Sequence, residues 1–185
     1  VPFINKILDK ASNKRTGIWA SIGAEKLESP NNLISAALNA RFISKLKNDR
    51  DHYSKVFKRI KPKPLMTIPN FKKAYDICRW INHHQAFDLI RLAKDKYNWS
   101  FELSQVAKLW LEGSIIKSKL MDLLAIEYKN KSSIMEMDAF KILIKNGQKQ
   151  WANTIIYSVN QQIPIPCIVN AWNYFIAITQ EKSSA

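Results

Sequence analysis

Apolar residues recur at three- and four-residue intervals along most of the chain, the spacing that places them on one face of an α-helix. The pattern begins with Phe3, Ile4, Ile7, Leu8 and Ala11 and predicts a first helix there. It predicts further helices at about 18–27, 31–59, 71–97, 101–110, 114–129, 138–161 and 167–178. No stretch alternates apolar and polar residues as a half-buried strand would, so the sequence predicts an all-α protein.

Glycine, proline and serine mark the predicted helix ends. Gly17 terminates the first helix, and Ser100, after the break NWS, is predicted to cap a later one. The clearest linker is Lys58–Pro69, because its three prolines disfavour helix. We therefore expect one multi-helical domain over residues 1–185, with two helical portions at about 1–60 and 67–180 joined by this proline-rich linker.

Composition indicates a packed body rather than a disordered chain, since 46% of the 185 residues are hydrophobic. Only four glycines occur, which argues against glycine-rich nucleotide loops. Cys78 and Cys167 fit no metal or redox spacing. The sequence has neither a signal peptide nor an eighteen-residue apolar run, so we expect a cytoplasmic protein without a membrane partner.

The chain carries 29 basic and 15 acidic residues, a net charge of +14. Such an excess attracts polyanions, which include nucleic acid, anionic lipid and phosphorylated metabolites. The lysines are scattered and form no dense block, which favours an ordinary solvated surface and predicts no nucleic-acid binding. The chain starts without Met and inside a helical pattern, so we expect it to be a piece of a longer protein.

One arginine lies among apolar residues on a predicted helix. On a helical wheel Arg41 falls inside an apolar arc formed by Leu33, Ile34, Ala37, Leu38 and Phe42. A guanidinium in that position needs an anion or carbonyl groups, since an unpaired buried charge is strongly unfavourable. The other interpretation is that its stem packs while its head reaches solvent or a nearby glutamate.

The stretch NKRTGIW, residues 13–19, gathers hydrogen-bond donors in a turn between two predicted helices. Lys14, Arg15, the Thr16 hydroxyl and the N–H groups around Gly17 suit a bound phosphate. A basic helix end followed by an ordinary turn would give the same residues. The stretch alone leaves both interpretations open.

Other chemistry-bearing residues fit structural roles better. The adjacent His83 and His84 point about 100° apart on a helix, so they are unlike a pair of metal ligands. The six tryptophans are expected in the core rather than as base-stacking platforms. We find no serine–histidine–aspartate arrangement and no cluster that predicts a metal site.

Several stretches together resemble the C-terminal helical domain of the decarboxylating 6-phosphogluconate dehydrogenases. ILDKASNKRTGIW is similar to the family's ILDKAxxKGTGxW, and ALNARFISKLK is similar to its AxxARxxSxxK. WSFELSQVAKLWLEGSIIKS follows the helix that ends in WRxGCIIRS, and QWANTIIYSVNQQIPIPC follows WRxxVxxAxxxGIPxPC. The resemblance runs from Ile7 to about Tyr174, in the family's order and at its spacing.

The resemblance implies an all-α domain that forms most of a homodimer interface and faces a separate NADP-binding domain. It implies oxidation and decarboxylation of 6-phosphogluconate to ribulose 5-phosphate, in the pentose phosphate pathway. Lys14, Thr16 and Arg41 match the family's ligands for the substrate phosphate. The catalytic lysine and glutamate and the cofactor site would lie upstream of residue 1, and a tail reaching the partner subunit would follow Ala185. We therefore expect substrate binding here, no catalytic, cofactor or metal residue, and no activity from this chain alone.

The sequence also departs from the family pattern. Arg15 stands where the family has glycine, which either adds a phosphate contact or crowds the loop if the backbone there is left-handed. Charged or cysteine positions of the family are changed at Leu111, Ser114, Lys117, Ala152, Ile176 and Thr179. These changes keep open an alternative, in which the protein is a degenerate paralogue that serves as a helical dimerisation scaffold and has no catalytic activity.

Overall fold

A computed structural model describes residues 2–12, 14–63 and 67–183. Within them lie eight α-helices and no strand: α1 Thr16–Lys26, α2 Asn32–Lys45, α3 Lys47–Val56, α4 Ile68–Tyr97, α5 Leu103–Gly113, α6 Lys119–Glu127, α7 Asp138–Asn160 and α8 Pro166–Ile178. Short 3₁₀ helices occur at Phe3–Lys6 and Ile134–Glu136. The all-α prediction is confirmed. No helix of the described part is both long and apolar enough to cross a membrane.

The long helix α4 is the centre of the fold, with α7 and α8 packed against it. Its apolar residues Ala74, Ile77, Ile81 and Phe87 are spaced three to six apart and are fully buried. From α7, the buried Trp151 donates its indole N–H to the Ile168 carbonyl of α8, at 3.2 Å. Burial of these large side chains is what holds the three helices in place.

Helix α2 is fixed onto this core at its N-terminal end. Its Leu33 backbone N–H donates to the side-chain oxygen of the buried Gln85 on α4, at 3.1 Å. Leu33 and Ala36 are buried, and the helix packs along α8. The far end of α2, which carries Arg41, is therefore positioned by the core although it lies at the surface.

The first predicted helix is wrong. Only Phe3–Lys6 form a single 3₁₀ turn, and residues 7–12 and 14–15 have no regular structure. Its backbone bonds instead with side chains of later helices, because Ala11 N–H donates to Ser44 Oγ at 2.8 Å. Phe3, Ile7 and Leu8 are 76%, 51% and 68% exposed, so these three apolar side chains do not enter the core of the described residues.

The helix predicted over 31–59 is broken in two at Leu46, whose backbone leaves the helical region (φ −78°, ψ 52°). No glycine or proline signals the break. The Ser44 carbonyl accepts a hydrogen bond from Arg50 Nη2 at 3.1 Å, and α3 contains no buried residue. A side-chain donor at the break and the absence of a buried face explain why one continuous helix is not favoured.

The other helices follow the predictions, with shifted ends. Helix α4 begins three residues before the expected Phe71, with Pro69 in its first turn, where proline is tolerated.

The predicted Ser100 cap is wrong: Glu102 caps α5, in a reciprocal capping box with Gln105. Glu102 and Gln105 together satisfy two backbone N–H groups, which a serine two residues earlier cannot do.

The segment predicted as a linker lies partly outside the described residues, which include neither Asn13 nor residues 64–66. Residues 58–63 form no helix, and their backbone is tied to the end of α7. The Lys63 N–H donates to the Gln161 side chain at 2.7 Å, and the Ile60 N–H to that of Gln162 at 3.3 Å. The division into two helical portions stays a prediction.

The expectation that tryptophans lie in the core holds for some of them. Trp151 is fully buried and meets Trp172 edge to face, with ring centroids 5.0 Å apart. Trp19 and Trp99 are 65% and 52% exposed, so for these two the expectation is wrong. Apolar neighbours in the sequence do not decide whether a tryptophan side chain faces the core or the solvent.

The adjacent histidines are structural. His84 is buried and shares a hydrogen bond with the Tyr174 hydroxyl of α8, at 2.8 Å. His83 Nδ1 lies 2.7 Å from the Arg79 carbonyl one turn back. Burial lowers the pKa of both imidazoles below the ordinary 6.5.

This pKa shift predicts a pH-dependent stability. The unfolded chain takes up protons on these histidines below pH 6.5 while the folded chain resists, so stability falls as the pH drops through that value. Replacing His84 by Gln removes part of this dependence. We expect a smaller difference between denaturation midpoints at about pH 7.5 and about pH 5.5 in His84→Gln than in the parent. An unchanged difference would contradict the assignment.

Close packing of α7 on α4 gives a second prediction. A Cβ atom at Gly147 would lie 2.9 Å from the Ile77 δ-methyl, inside the core. We expect Gly147→Leu to lower the free energy of unfolding by about 1–3 kcal/mol through overpacking. Gly23 is the matched control, because nothing lies within 4 Å of its added Cβ. Gly23→Leu should stabilise by about 0.5–1 kcal/mol through helix propensity, measured by chemical denaturation. Equal effects would contradict this packing.

Candidate functional site

A surface groove of about 610 Å³ contains all three residues that the sequence singled out for phosphate binding. Lys14 and Thr16 lie on one wall, at the start of α1, and Arg41 lies on the other wall, near the end of α2. The groove is lined by Lys14, Thr16, Gly17, Ile34, Ala37, Leu38, Arg41, Asn82 and Ile115. Residues 27 positions apart in sequence thus face a common space.

The start of α1 offers backbone donors to this groove. Thr16 is the first helical residue, and Arg15 before it makes no side-chain cap. The first N–H groups of a helix have no partner within the helix, and they carry the positive end of its dipole. Thr16 and Gly17, which line the groove, are the first two residues of this turn. The geometry suits an anion with several oxygens.

Arg41 bridges the two walls. Its Nη1 donates to the Ser12 carbonyl at 3.0 Å, so the guanidinium joins α2 to the segment that precedes Lys14. The apolar arc around it is not one buried face, as the wheel suggested. Leu33 is buried, whereas Ile34, Ala37 and Leu38 form an apolar wall of the groove beside the exposed Arg41.

The charge of the groove is positive. No carboxylate occurs among its lining residues, and no ion pair of the described residues involves Lys14 or Arg41. Two cations that face a concave surface without counter-charges attract an anionic ligand.

Sequence reasoning missed two lining residues. Asn82 lies on α4 directly before His83 and His84. A single asparagine on a helix carries no sequence signal for phosphate binding.

Ile115 lies between α5 and α6 and is fully exposed, which no burial pattern anticipates. Ile115 and Ile116 lie together between Ser114 and Lys117, and two adjacent apolar residues in a helix–helix connection are the signal that could have indicated this part of the groove. No group of three His, Cys, Asp or Glu in the described residues could hold a metal ion.

Arg15 adopts the left-handed conformation, with φ 71° and ψ −22°. This is the backbone region where only glycine is free of steric cost. Arg15 does not line the groove, so the crowded-loop interpretation fits better than an added phosphate contact. The strain lies between Lys14 and Thr16, which both line the groove.

Comparisons with known proteins show the family to which this domain is similar. A family model described as 6-phosphogluconate dehydrogenase, C-terminal domain, matches residues 1–185. The chain is 29% identical to the decarboxylating 6-phosphogluconate dehydrogenase of Aggregatibacter actinomycetemcomitans, over 98% of the chain and 39% of the relative. It is 30% identical to that of Salmonella typhimurium, over 93% of the chain and 38% of the relative. The chain thus spans about two fifths of the length of these relatives.

A solved structure shows the same fold. Plasmodium falciparum 6-phosphogluconate dehydrogenase superposes with a TM-score of 0.90 and 27% identity, over 98% of this chain and 41% of that protein. That enzyme was solved in its apo form, with its cofactor NADP+ and with its substrate 6-phosphogluconate.

The left-handed Arg15 yields a prediction for this site. We expect Arg15→Gly to be more stable than Arg15→Ala by about 0.5–1 kcal/mol, because glycine accepts the conformation without steric cost. Both variants lose the arginine side chain, so their difference isolates the backbone. The measurement is chemical denaturation of the two variants in parallel. Equal stabilities would mean that the position is not left-handed.

Proposed function

The chain belongs to the 6-phosphogluconate dehydrogenase family, and we propose that it forms the substrate-binding and dimerisation domain of a decarboxylating member. The reaction is oxidation of the 3-hydroxyl of 6-phosphogluconate by hydride transfer to NADP, followed by loss of carbon dioxide to give ribulose 5-phosphate. The observation that carries the proposal is the meeting of Lys14, Thr16 and Arg41 in one groove without a carboxylate.

The phosphate of the substrate is the group that this groove suits. A phosphate monoester carries close to two negative charges and several acceptor oxygens at neutral pH. Lys14 and Arg41 supply charge from opposite walls, and the Thr16 hydroxyl and the first N–H groups of α1 supply neutral donors. Binding at the phosphate, remote from the reacting carbons, fixes the sugar acid in one orientation for chemistry performed elsewhere in the protein.

NADP is assigned to another part of the protein. The described residues contain no strand, and therefore no strand, glycine-rich turn and helix of the kind that holds a dinucleotide. We assign neither a cofactor contact nor a proton transfer to any residue of this chain. Its contribution is to bind the substrate and to hold it in place.

Exposed apolar side chains support the homodimer. Helix α3 has no buried residue, yet Tyr53 and Val56 on it and Phe57 after it are more than half exposed. Trp19 of α1 is also 65% exposed. Large apolar surfaces of this kind are typical of subunit contacts, and burial against a second copy would remove them from water.

Isothermal titration of a full-length protein containing this chain with 6-phosphogluconate tests the proposal. We expect Lys14→Ala and Arg41→Ala each to weaken binding by about 1.5–3 kcal/mol, the value of a hydrogen bond to a charged group. Lys45→Ala is the matched control, since Lys45 is an exposed cation one turn beyond Arg41 and does not line the groove.

The outcomes separate the hypotheses. Unchanged affinity in both groove variants would overturn the phosphate assignment. Tight binding without turnover would instead favour the degenerate scaffold. Equal losses in Lys45→Ala and in the groove variants would point to general charge attraction rather than to a defined site.

A further inference from the structure

The segment that leads into the groove is held by polar contacts from α2 and α3. Arg50 of α3 reaches back to Asp9 and donates Nη2 to its carbonyl at 2.7 Å and Nη1 to its carboxylate at 2.8 Å. Ser44 of α2 accepts the Ala11 N–H at 2.8 Å, and Arg41 holds the Ser12 carbonyl at 3.0 Å. Side chains of α2 and α3 thus bind Asp9, Ala11 and Ser12.

Burial contributes little to holding this segment. Ile7 and Leu8 before it are 51% and 68% exposed, and of residues 9–12 only Ala11 is partly covered. A surface segment without apolar anchors is mobile unless its backbone is bonded. The hydrogen bonds from Arg50, Ser44 and Arg41 are therefore what fixes it.

The break at Leu46 is what aims Arg50 at this segment. Because α3 starts anew at Lys47, the Arg50 side chain turns back over the end of α2, where Nη2 also meets the Ser44 carbonyl at 3.1 Å. Lys47 lies 3.4 Å from the same Asp9 carboxylate. The hydrogen bond with Arg50 is the main cause that lowers the pKa of Asp9 below its ordinary value.

We propose that Arg50 is a positioning residue for phosphate binding. Its hydrogen bonds to Asp9, called here the Arg50–Asp9 clasp, set the position of Lys14 relative to Arg41. Lys14 follows Ser12 by two residues, and one guanidinium, that of Arg41, both lines the groove and bonds the clasped segment. The clasp lies outside the groove, since neither Asp9 nor Arg50 lines it. This inference rests on the proposed function, because it concerns the same site.

A purely structural role makes a different prediction. Exposed ion pairs contribute little to stability, and both Arg50 and Asp9 are partly exposed. If the clasp serves position, its loss weakens phosphate binding much more than it weakens the fold. If it serves only the fold, affinity for the phosphate is retained at temperatures where the protein is folded.

The experiment compares Arg50→Ala and Arg50→Lys with Arg91→Lys in a full-length protein containing this chain. Arg91 pairs with Asp88 on α4 away from the groove, which makes it a matched arginine–aspartate control. Titration with 6-phosphogluconate should show about tenfold weaker binding in Arg50→Ala, the value of one misplaced charge-assisted contact. Arg50→Lys keeps the charge but loses the two parallel N–H donors of the guanidinium, so it should recover only part of the affinity. Arg91→Lys should bind as the parent does.

A second readout separates position from stability. In activity assays Arg50→Ala should raise KM for 6-phosphogluconate with little change in kcat, and Asp9→Asn should act in the same direction more weakly. Parental affinity in a folded Arg50→Ala would overturn the inference, and so would a loss no larger than that of Arg91→Lys. If Arg50→Ala does not fold, the affinity of Asp9→Asn for 6-phosphogluconate is the test, and parental affinity in that variant would overturn the inference. A parent protein that does not bind 6-phosphogluconate would instead overturn the proposed function itself.

Discussion

The hydrogen bond from Arg41 to the Ser12 carbonyl is the contact on which the site depends. It joins a helix anchored in the core to a surface segment that has almost no buried apolar surface of its own. Through this contact, two cations distant in sequence come to face each other across one groove. The core fixes Arg41 through the packing of α2, and Arg41 and its neighbours then fix the chain that carries Lys14.

The long buried helices were predictable from sequence because their signal is local. Apolar residues of α4, α7 and α8 repeat at helical spacing and enter the core, and the IPIP break before α8 ends a helix as proline usually does. The fold class follows from this repeat alone. The identities of Lys14, Thr16 and Arg41 as candidates came from residue chemistry together with family resemblance, since charge or periodicity alone left each of them ambiguous.

The remainder depends on tertiary contacts that no local pattern contains. The first segment has helical periodicity, but its backbone partners are Ser44, Arg41 and Arg50, more than 28 residues later. The break at Leu46 involves neither glycine nor proline and depends on those same side chains. Asn82 and Ile115 reach the groove only because α4 and the α5–α6 connection fold beside α1 and α2. Arg15 breaks a local backbone rule at the site, which is where such conflicts are expected.

Substrate binding as proposed requires that one oxyanion occupies the space between α1 and α2. A crystal structure of a full-length protein containing this chain, bound to 6-phosphogluconate, tests it most directly. We expect phosphate oxygens within hydrogen-bond distance, about 2.7–3.2 Å, of Lys14 Nζ, Thr16 Oγ1 and an Arg41 guanidinium nitrogen. A substrate phosphate bound elsewhere, with Lys14 and Arg41 still facing solvent, would contradict it.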